Sequence, residues 1–233
     1  MSIPKPNEPL PVGDAKRAAV RTMFDTIAPR YDLVNRIMTF GLDTRWRRRA
    51  VRSLALPVGS RVLDLASGTG DLCVELRRAG LVPVSIDLSF GMLSADHSGA
   101  PRVQADILRL PTPDASVDGV TCGFALRNLT ELEPFFHELA RVVRRGGTVA
   151  LLDASAPSNP VLRWGHGIYF GKVVPRIGAM LSSGDAYRYL PRSLAYLPPR
   201  QPMVADLGAA GFTDVDARQL SGGVSTLLVG RRR

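Results

Sequence analysis

Two glycines and three carboxylates crowd the stretch VLDLASGTGDLCVEL, Val62 to Leu76. Asp64 closes an apolar run, and Gly68, Thr69, Gly70 and Asp71 follow it at once. Glycines in that spacing let a backbone approach a ligand closely and take the φ angles of a sharp turn. Two ligands compete for such a turn, a dinucleotide and S-adenosylmethionine. The dinucleotide fingerprint requires Gly or Ala three residues after Gly70, where Cys73 stands. A phosphate loop requires Lys and then Ser or Thr after its second glycine, and neither is present. Asp71 repels a pyrophosphate, whereas it is acceptable beside a cationic sulfonium. The turn favours S-adenosylmethionine.

Two further carboxylates extend the set. Asp87 ends VSID and is placed to accept both hydroxyls of an adenosine ribose, a device that NAD-binding folds share. Asp106 ends VQAD and is placed to meet an adenine amine. Each residue alone reads equally as a helix cap or strand terminator. The ordered set at successive strand ends reads as a nucleoside site.

The elements that must hold these residues alternate. RVLDLA, VPVSIDL, PRVQADI, VDGVTCGFA and TVALLDA read as strands, and GDLCVELRRAG, a short segment near GMLSADH, and ELEPFFHELARVVRRGG read as helices, the last with a glycine stop. Strands separated by helices indicate right-handed crossovers and a mostly parallel sheet. A closing helix and two final strands, the second a hairpin partner, bring the expected sheet to seven strands in an α/β fold. Arg21 to Leu56 reads as helices, broken near Pro29. The 233 residues are expected to form a loose tail (1–15) and one domain (16–233), with a helical lobe over 16–56 and a helical cover over 157–199.

Composition narrows the class. No run approaches the roughly 18–20 apolar residues of a membrane span, and MSIPKPNEPLPVGD lacks a signal core. Cys73 and Cys122 lie in apolar runs without CxxC spacing and read as small buried residues. His97, His137 and His166 are scattered, which argues against a zinc site. The net charge of +9 is uneven, with ten Lys/Arg against three Asp between Lys16 and Arg52. Such a block suits nucleic acid, an anionic membrane surface or an acidic substrate.

The order LDLASGTGD, IDLS and QADILRLPTPDASVDGV resembles the class I methyltransferases. FDTIAPRYDLVNRIMTFGLDTRWRR, GFALRNLTELEPFFHELARVVRRGG and RIGAMLSSGDAYRYLPRSLAYLP resemble segments of a narrower group, the menaquinone/ubiquinone biosynthesis C-methyltransferases. The resemblance runs from about Phe24 to Pro198 and on through the final strands. It implies a Rossmann-like class I methyltransferase fold with a small helical lid. The implied reaction moves a methyl group from S-adenosylmethionine to a ring carbon of a prenylated demethylmenaquinol, giving menaquinol in the final step of menaquinone biosynthesis. By position it puts cofactor contacts on Thr69, Asp87 and the Asp106–Ile107 pair, where many relatives carry Asn-Ala. Gly123 stands where some relatives have serine.

Methyl transfer to carbon needs an electron-rich ring, so the substrate should be the reduced quinol, which gains nucleophilicity as a phenolic proton leaves. Arg127 and Asn128, in LRN after the fourth strand, suit stabilisation of the developing phenolate. Arginine stays protonated to beyond pH ~12 and is a poor base. Tyr31 and Asp32 in APRYDLVN would complete the site from the lobe, with Asp32 or a water as proton acceptor. Tyr187 and Tyr189, flanking Arg188, would line a slot for the ring or else pack the cover. TRWRRRAVRSLAL sets Trp46 among Arg45, Arg47, Arg48 and Arg49, which suits lipid headgroups as well as it suits a solvated face.

Three rivals remain at this level. A base methyltransferase would carry an Asn/Asp-Pro-Pro-aromatic tetrapeptide where this chain has GFALRN, so no nucleic-acid partner is expected. A non-catalytic cofactor-binding subunit would share the same turn. A sister reaction on a prenylated benzoquinol in ubiquinone synthesis has no distinguishing residue. The expected location is cytoplasmic with peripheral contact at the inner face of the membrane, and a homodimer is conceivable.

Overall fold

The computed structural model describes residues 13–129, 131–174, 176 and 197–233. Helices α1 (Gly13–Ile27), α2 (Tyr31–Met38) and α3 (Leu42–Ser53) come first, and a 3-10 turn at Ala28–Arg30 carries Pro29 between α1 and α2. Proline lacks the donor that would continue α1, yet sits without cost in a first turn, so the helix breaks and restarts there. Then follow β1 (Arg61–Leu65), α4 (Asp71–Arg78), β2 (Val82–Asp87), α5 (Phe90–Ser94), β3 (Arg102–Gln104) and β4 (Val117–Gly123). A second 3-10 turn, Leu126–Asn128, leads to α6 (Glu133–Val142), β5 (Val143–Ala154) and α7 (Pro160–Ile168). The chain closes with α8 (Arg200–Ala209), β6 (Phe212–Leu220) and β7 (Ser225–Arg232).

The seven strands lie in the order β3-β2-β1-β4-β5-β7-β6. All neighbours as far as β5 are parallel, and β7 pairs antiparallel with both β5 and β6. The expected hairpin of the last two strands is therefore present. Strand order reverses between β1 and β4, which is where open α/β sheets open a crevice for ligands.

One expected boundary moves. The helix of ELEPFFHELARVVRRGG ends at Val142 instead of at its glycines, because Val143 already pairs with Val117 of β4. Gly146, at φ 78°, lies where the pairing skips a residue between Val117 and Gly119. The glycines mark a bulge within β5, as glycine inside a strand often does.

Side-chain alternation splits the sheet's apolar residues between two layers. Leu63, Leu65, Val149 and Leu151 pack with Phe135, Phe136 and Leu139 of α6 and Met203 and Leu207 of α8. Val62, Ala150 and Leu152 face Trp46, Ala50 and Leu54 from α3 and its end, with Leu72 and Leu76 of α4. Cys73 and Cys122 are both fully buried, as their surroundings required. A smaller third cluster joins Met23, Ile27, Val34 and Met38 of the lobe to Met92 of α5. That cluster seats the lobe over the crevice.

Candidate active site

The glycine turn is built from below. The buried Asp64 carboxylate accepts hydrogen bonds from Thr121 Oγ1 at 2.7 Å and Cys73 Sγ at 3.5 Å, tying β1 to β4 and α4. Asp64 thus lies beneath the turn and supports it. Burial pushes its carboxyl up to about 7. The folded protein therefore holds a proton that the unfolded chain has released above its ordinary value near 4. Stability should fall as the pH rises through that window, by roughly 4 kcal/mol in total. Asp64→Asn is expected to flatten the slope and to be the more stable form at pH 8. Urea midpoints of both proteins at pH 5 and pH 8 check this, and parallel slopes would reject it.

Above the turn lies a cleft of about 120 Å³. Gly68, Asp87, Met92, Asp106, Ile107, Gly123 and Asn128 are among its lining residues. Asp87 Oδ2 accepts the Gly68 amide at 2.9 Å and its Oδ1 accepts the Ser89 amide at 2.8 Å. Burial raises this carboxyl above the usual range, while the backbone donors oppose the shift. Asp106 Oδ1 accepts the Leu108 amide, and its Oδ2 stands 3.3 Å from Arg17 Nη1 of α1. Gly68 has a φ of 58°, and a Cβ there would stand 3.9 Å from both Met92 Sδ and Tyr31 Cε1. A longer side chain would project into the cleft, so glycine keeps it open.

This set of acceptors and apolar faces fits an adenosyl group. Carboxylates at the ends of β2 and β3 match hydroxyl and amine donors, and Met92, Ile107 and Leu108 offer apolar faces to a flat base. The cleft lies below the ~300 Å³ at which small-molecule sites begin. Helix α1 forms one wall of it, through Arg17, Val20, Arg21 and Phe24. Asp25 of α1 fastens that wall by accepting from Ser89 Oγ and from the Gly91 amide.

A second, larger cavity of about 400 Å³ adjoins the first. Phe24, Tyr31 and Phe124 line both. Its walls are mostly apolar, with Met23, Ile27, Met38 and Trp46 among them, and Arg127 faces it from the turn after β4. The Arg127 guanidinium pairs with the Asp153 carboxylate at the end of β5, and its Nη1 also donates to the Phe124 carbonyl at 2.7 Å. Lys16 of α1 donates to the Arg127 and Leu129 carbonyls. Both partners of the pair are almost fully buried, which fixes Arg127 in the cavity wall.

The structure brings together Tyr31, Gly68, Asp87, Asp106, Ile107, Gly123, Arg127 and Asn128 around the two connected spaces. Asp32, Thr69 and Gly70 line neither. One helical step separates Tyr31 from Asp32, so the two side chains leave α2 in different directions. Asp32 turns to Thr69, accepting its hydroxyl at 2.5 Å, and so clamps the lobe to the turn. Gly70 has a φ of 88°, and a Cβ there would meet Ser98 Cβ at 2.9 Å. Tyr187 and Tyr189 lie outside the described residues.

Several functional residues carried no signal in the sequence. Phe124 holds a left-handed φ of 62°, a costly conformation for a bulky residue and one that gathers at functional sites. Its N–H donates to Leu152 O of β5, which pins the ring between the two cavities. Arg47 lies over that ring at 5.3 Å and pairs with Asp43 and Asp71. The expected repulsive role of Asp71 is thus modified by Arg47 and by Arg36, 3.6 Å away. His97 joins Asp32 and Asp71 beside the turn, closer company than its isolated place in the sequence suggested. His166 lines the larger cavity, and burial lowers its pKa below the ordinary histidine value.

The expectation for Trp46 needs correction. Trp46 and Arg47 point inward, and Trp46 Nε1 donates to Ser221 Oγ at 2.9 Å. Helical spacing puts them on the core face of α3, leaving Arg45, Arg48 and Arg49 outside.

Residues 12–232 match the ubiE/COQ5 methyltransferase family. A demethylmenaquinone methyltransferase of Roseiflexus sp. (strain RS-1) is 39% identical over 96% of this chain and 98% of its own. The ubiquinone/menaquinone biosynthesis C-methyltransferase UbiE of Syntrophotalea carbinolica is also 39% identical, over 91% of this chain and 93% of its own. Among solved structures, a putative methyltransferase of Bacillus halodurans C-125 shares the fold at a TM-score of 0.56 and 19% identity, covering 80% of this chain and 98% of its own.

Proposed function

The chain belongs to the ubiE/COQ5 methyltransferase family, and from that premise we propose that it methylates a ring carbon of a prenylated demethylmenaquinol with S-adenosylmethionine, giving menaquinol. It has the class I methyltransferase fold, and its cofactor is S-adenosylmethionine. The observation that carries the substrate reading is the pair of joined spaces. A small cleft with carboxylates meets a 400 Å³ apolar cavity, and three aromatic rings form their common wall.

In this reading Asp87 and Asp106 hold the cofactor's ribose and base, with Ile107 and Met92 against the base. When bound, S-adenosylmethionine supplies an electrophilic methyl on a sulfonium. Phe24, Tyr31 and Phe124 orient the quinol ring at the junction and exclude water there. The ring hydroxyl gives up its proton and Arg127 stabilises the negative charge left on the oxygen. Once the ring carbon has taken the methyl, the hydrogen on that carbon leaves as a proton, which restores the aromatic ring and allows the oxygen to be reprotonated. Burial holds Tyr31 above its ordinary pKa, so it keeps its proton at neutral pH and acts as a donor. Asp43 is a poor proton acceptor because Arg47 and Thr39 hold its carboxyl below the usual range. His166, kept neutral by burial, is better suited to that step. Its place in the apolar wall replaces the expected role of Asp32, which faces Thr69.

The rest of the cavity accepts the first isoprene units among Met23, Ile27, Met38 and Leu162. A tail of that kind calls for contact with a membrane surface, to which Arg45, Arg48 and Arg49 add positive charge. No described helix is long and apolar enough to cross a membrane. The test is transfer of labelled methyl to short-chain demethylmenaquinol kept reduced, with the oxidised quinone, a benzoquinol and total RNA as parallel acceptors. Label on the naphthoquinol is the expected result. Label on the benzoquinol alone would move the protein to ubiquinone synthesis, and label on RNA or on nothing would overturn the proposal.

A further inference from the structure

No side chain of α7 is fully buried, and His166 is half-buried. Val161 is 74% exposed, Trp164 73%, Leu162 50% and Ile168 40%. Phe40, in the turn between α2 and α3, is 79% exposed and lies 5.6 Å ring to ring from Tyr169, just beyond α7. Val161, Trp164 and Ile168, spaced i, i+3 and i+7, fall on one side of α7, and Leu162 and Phe40 border it on the cavity side. Contiguous patches of this kind mark an interaction surface. The inner edge of the same helix lines the larger cavity through Val161, Leu162, Gly165 and His166. Exposed face and cavity wall are therefore two sides of one short helix, and Val161, Leu162 and Phe40 belong to both.

We infer that α7 and Phe40 dock the protein on an anionic lipid bilayer, so that a prenyl tail passes from the acyl region around α7 straight into the cavity. Charge favours that occupant over a second copy of the chain. Between Ala154 and Gly184 the sequence holds Arg163, Lys172 and Arg176 and no Asp or Glu. Arg163 and Arg176 are exposed. Two copies facing through this surface would oppose like charges, whereas anionic headgroups neutralise them. A helix of this length, apolar on one side with Trp at its surface, suits the boundary between headgroups and acyl chains. The placement also relocates the expected membrane contact. Arg45, Arg48 and Arg49 of α3 then add long-range attraction, while α7 inserts.

The inference rests on a prenylated substrate for its purpose, and it can be tested apart from it. The chain has two tryptophans, of which Trp46 is buried and Trp164 exposed. Full-length protein mixed with phosphatidylcholine vesicles containing phosphatidylglycerol is expected to co-sediment, with a blue shift in tryptophan emission. Trp164→Phe should still co-sediment and lose the shift. Trp164→Glu with Ile168→Glu should weaken partitioning at least about tenfold, since each replaces buried apolar area by charge. Neither residue lines the cavities, so methyl transfer to a short-chain soluble quinol should persist in that variant. Absence of vesicle binding by the unaltered chain would overturn the inference, as would undiminished binding by the double variant. So would a blue shift that follows protein concentration without vesicles and accompanies a dimer in sedimentation. Vesicle binding as expected together with no methylation of any quinol would remove the substrate reading and leave the docking surface standing.

Discussion

Arg127→Ala is expected to lower kcat/KM for quinol methylation by about 10²- to 10³-fold, the usual cost of losing a positioned group at a developing oxyanion. It should also destabilise the protein by about 3–5 kcal/mol, because Asp153 would be left charged at 1% exposure. These two effects have different remedies. Asp153 accepts from Arg127 N and Ala154 N as well as from the guanidinium, so its oxygens remain in use after the arginine is gone. Asparagine removes the stranded charge and keeps an acceptor for one of the two backbone donors, while its amide group meets the other. Arg127→Met with Asp153→Asn should therefore recover part of the lost stability and none of the lost rate. Urea denaturation, calorimetric cofactor binding and initial rates on the three proteins separate these outcomes. Normal turnover by a folded Arg127→Ala that still binds cofactor would show that the arginine has no role beyond holding Asp153.

The second large effect falls on the cofactor. Asp87→Ala should weaken S-adenosylmethionine binding by roughly 10- to 100-fold, since hydrogen bonds to a charged group contribute about 1.5–3 kcal/mol. The carboxylate works in two directions here. It accepts the Gly68 and Ser89 amides, which fixes the turn, and it faces the cleft. Asp87→Asn should not rescue, because its amide would point a donor at one of those two backbone donors. At saturating cofactor the rate should remain within a few-fold of normal, as Asp87 lines the cleft and not the larger cavity. Burial raises the pKa of this carboxyl, so affinity should fall as the solution is acidified through that raised value, earlier than an exposed aspartate would allow. Calorimetric titration across pH reads both effects. An unchanged dissociation constant in Asp87→Ala would remove the residue from the cofactor site.

Local signals in the sequence were enough for the frame. Apolar runs of strand length separated by helical periods gave the order of elements, and β1, α4, β2 and β4 lie where RVLDLA, GDLCVEL, VPVSIDL and VDGVTCG placed them. The glycine turn was legible because positive φ at Gly68 and Gly70 is a property of the residue itself. Asp87 was legible because a strand end fixes where its side chain emerges. Motif resemblance then supplied the family, the cofactor and the reaction class.

Packing decided the rest. Tyr31 and Asp32 are neighbours in the chain, yet one lines both cavities and the other clamps Thr69, because a helix turns each side chain through about 100° from the last. Trp46 sits among arginines in sequence and in the core in space, since α3 covers the sheet with that face. The glycines after α6 read as a stop and became a bulge once β5 had to register against β4. Trp46, Phe124 and His166 line one cavity from separate segments, and no spacing along the chain could announce that. Residue type and local order determined which chemistry is available to this protein. Only long-range burial, which sets the direction of each side chain and the partner of each charge, determined which residues stand where that chemistry occurs.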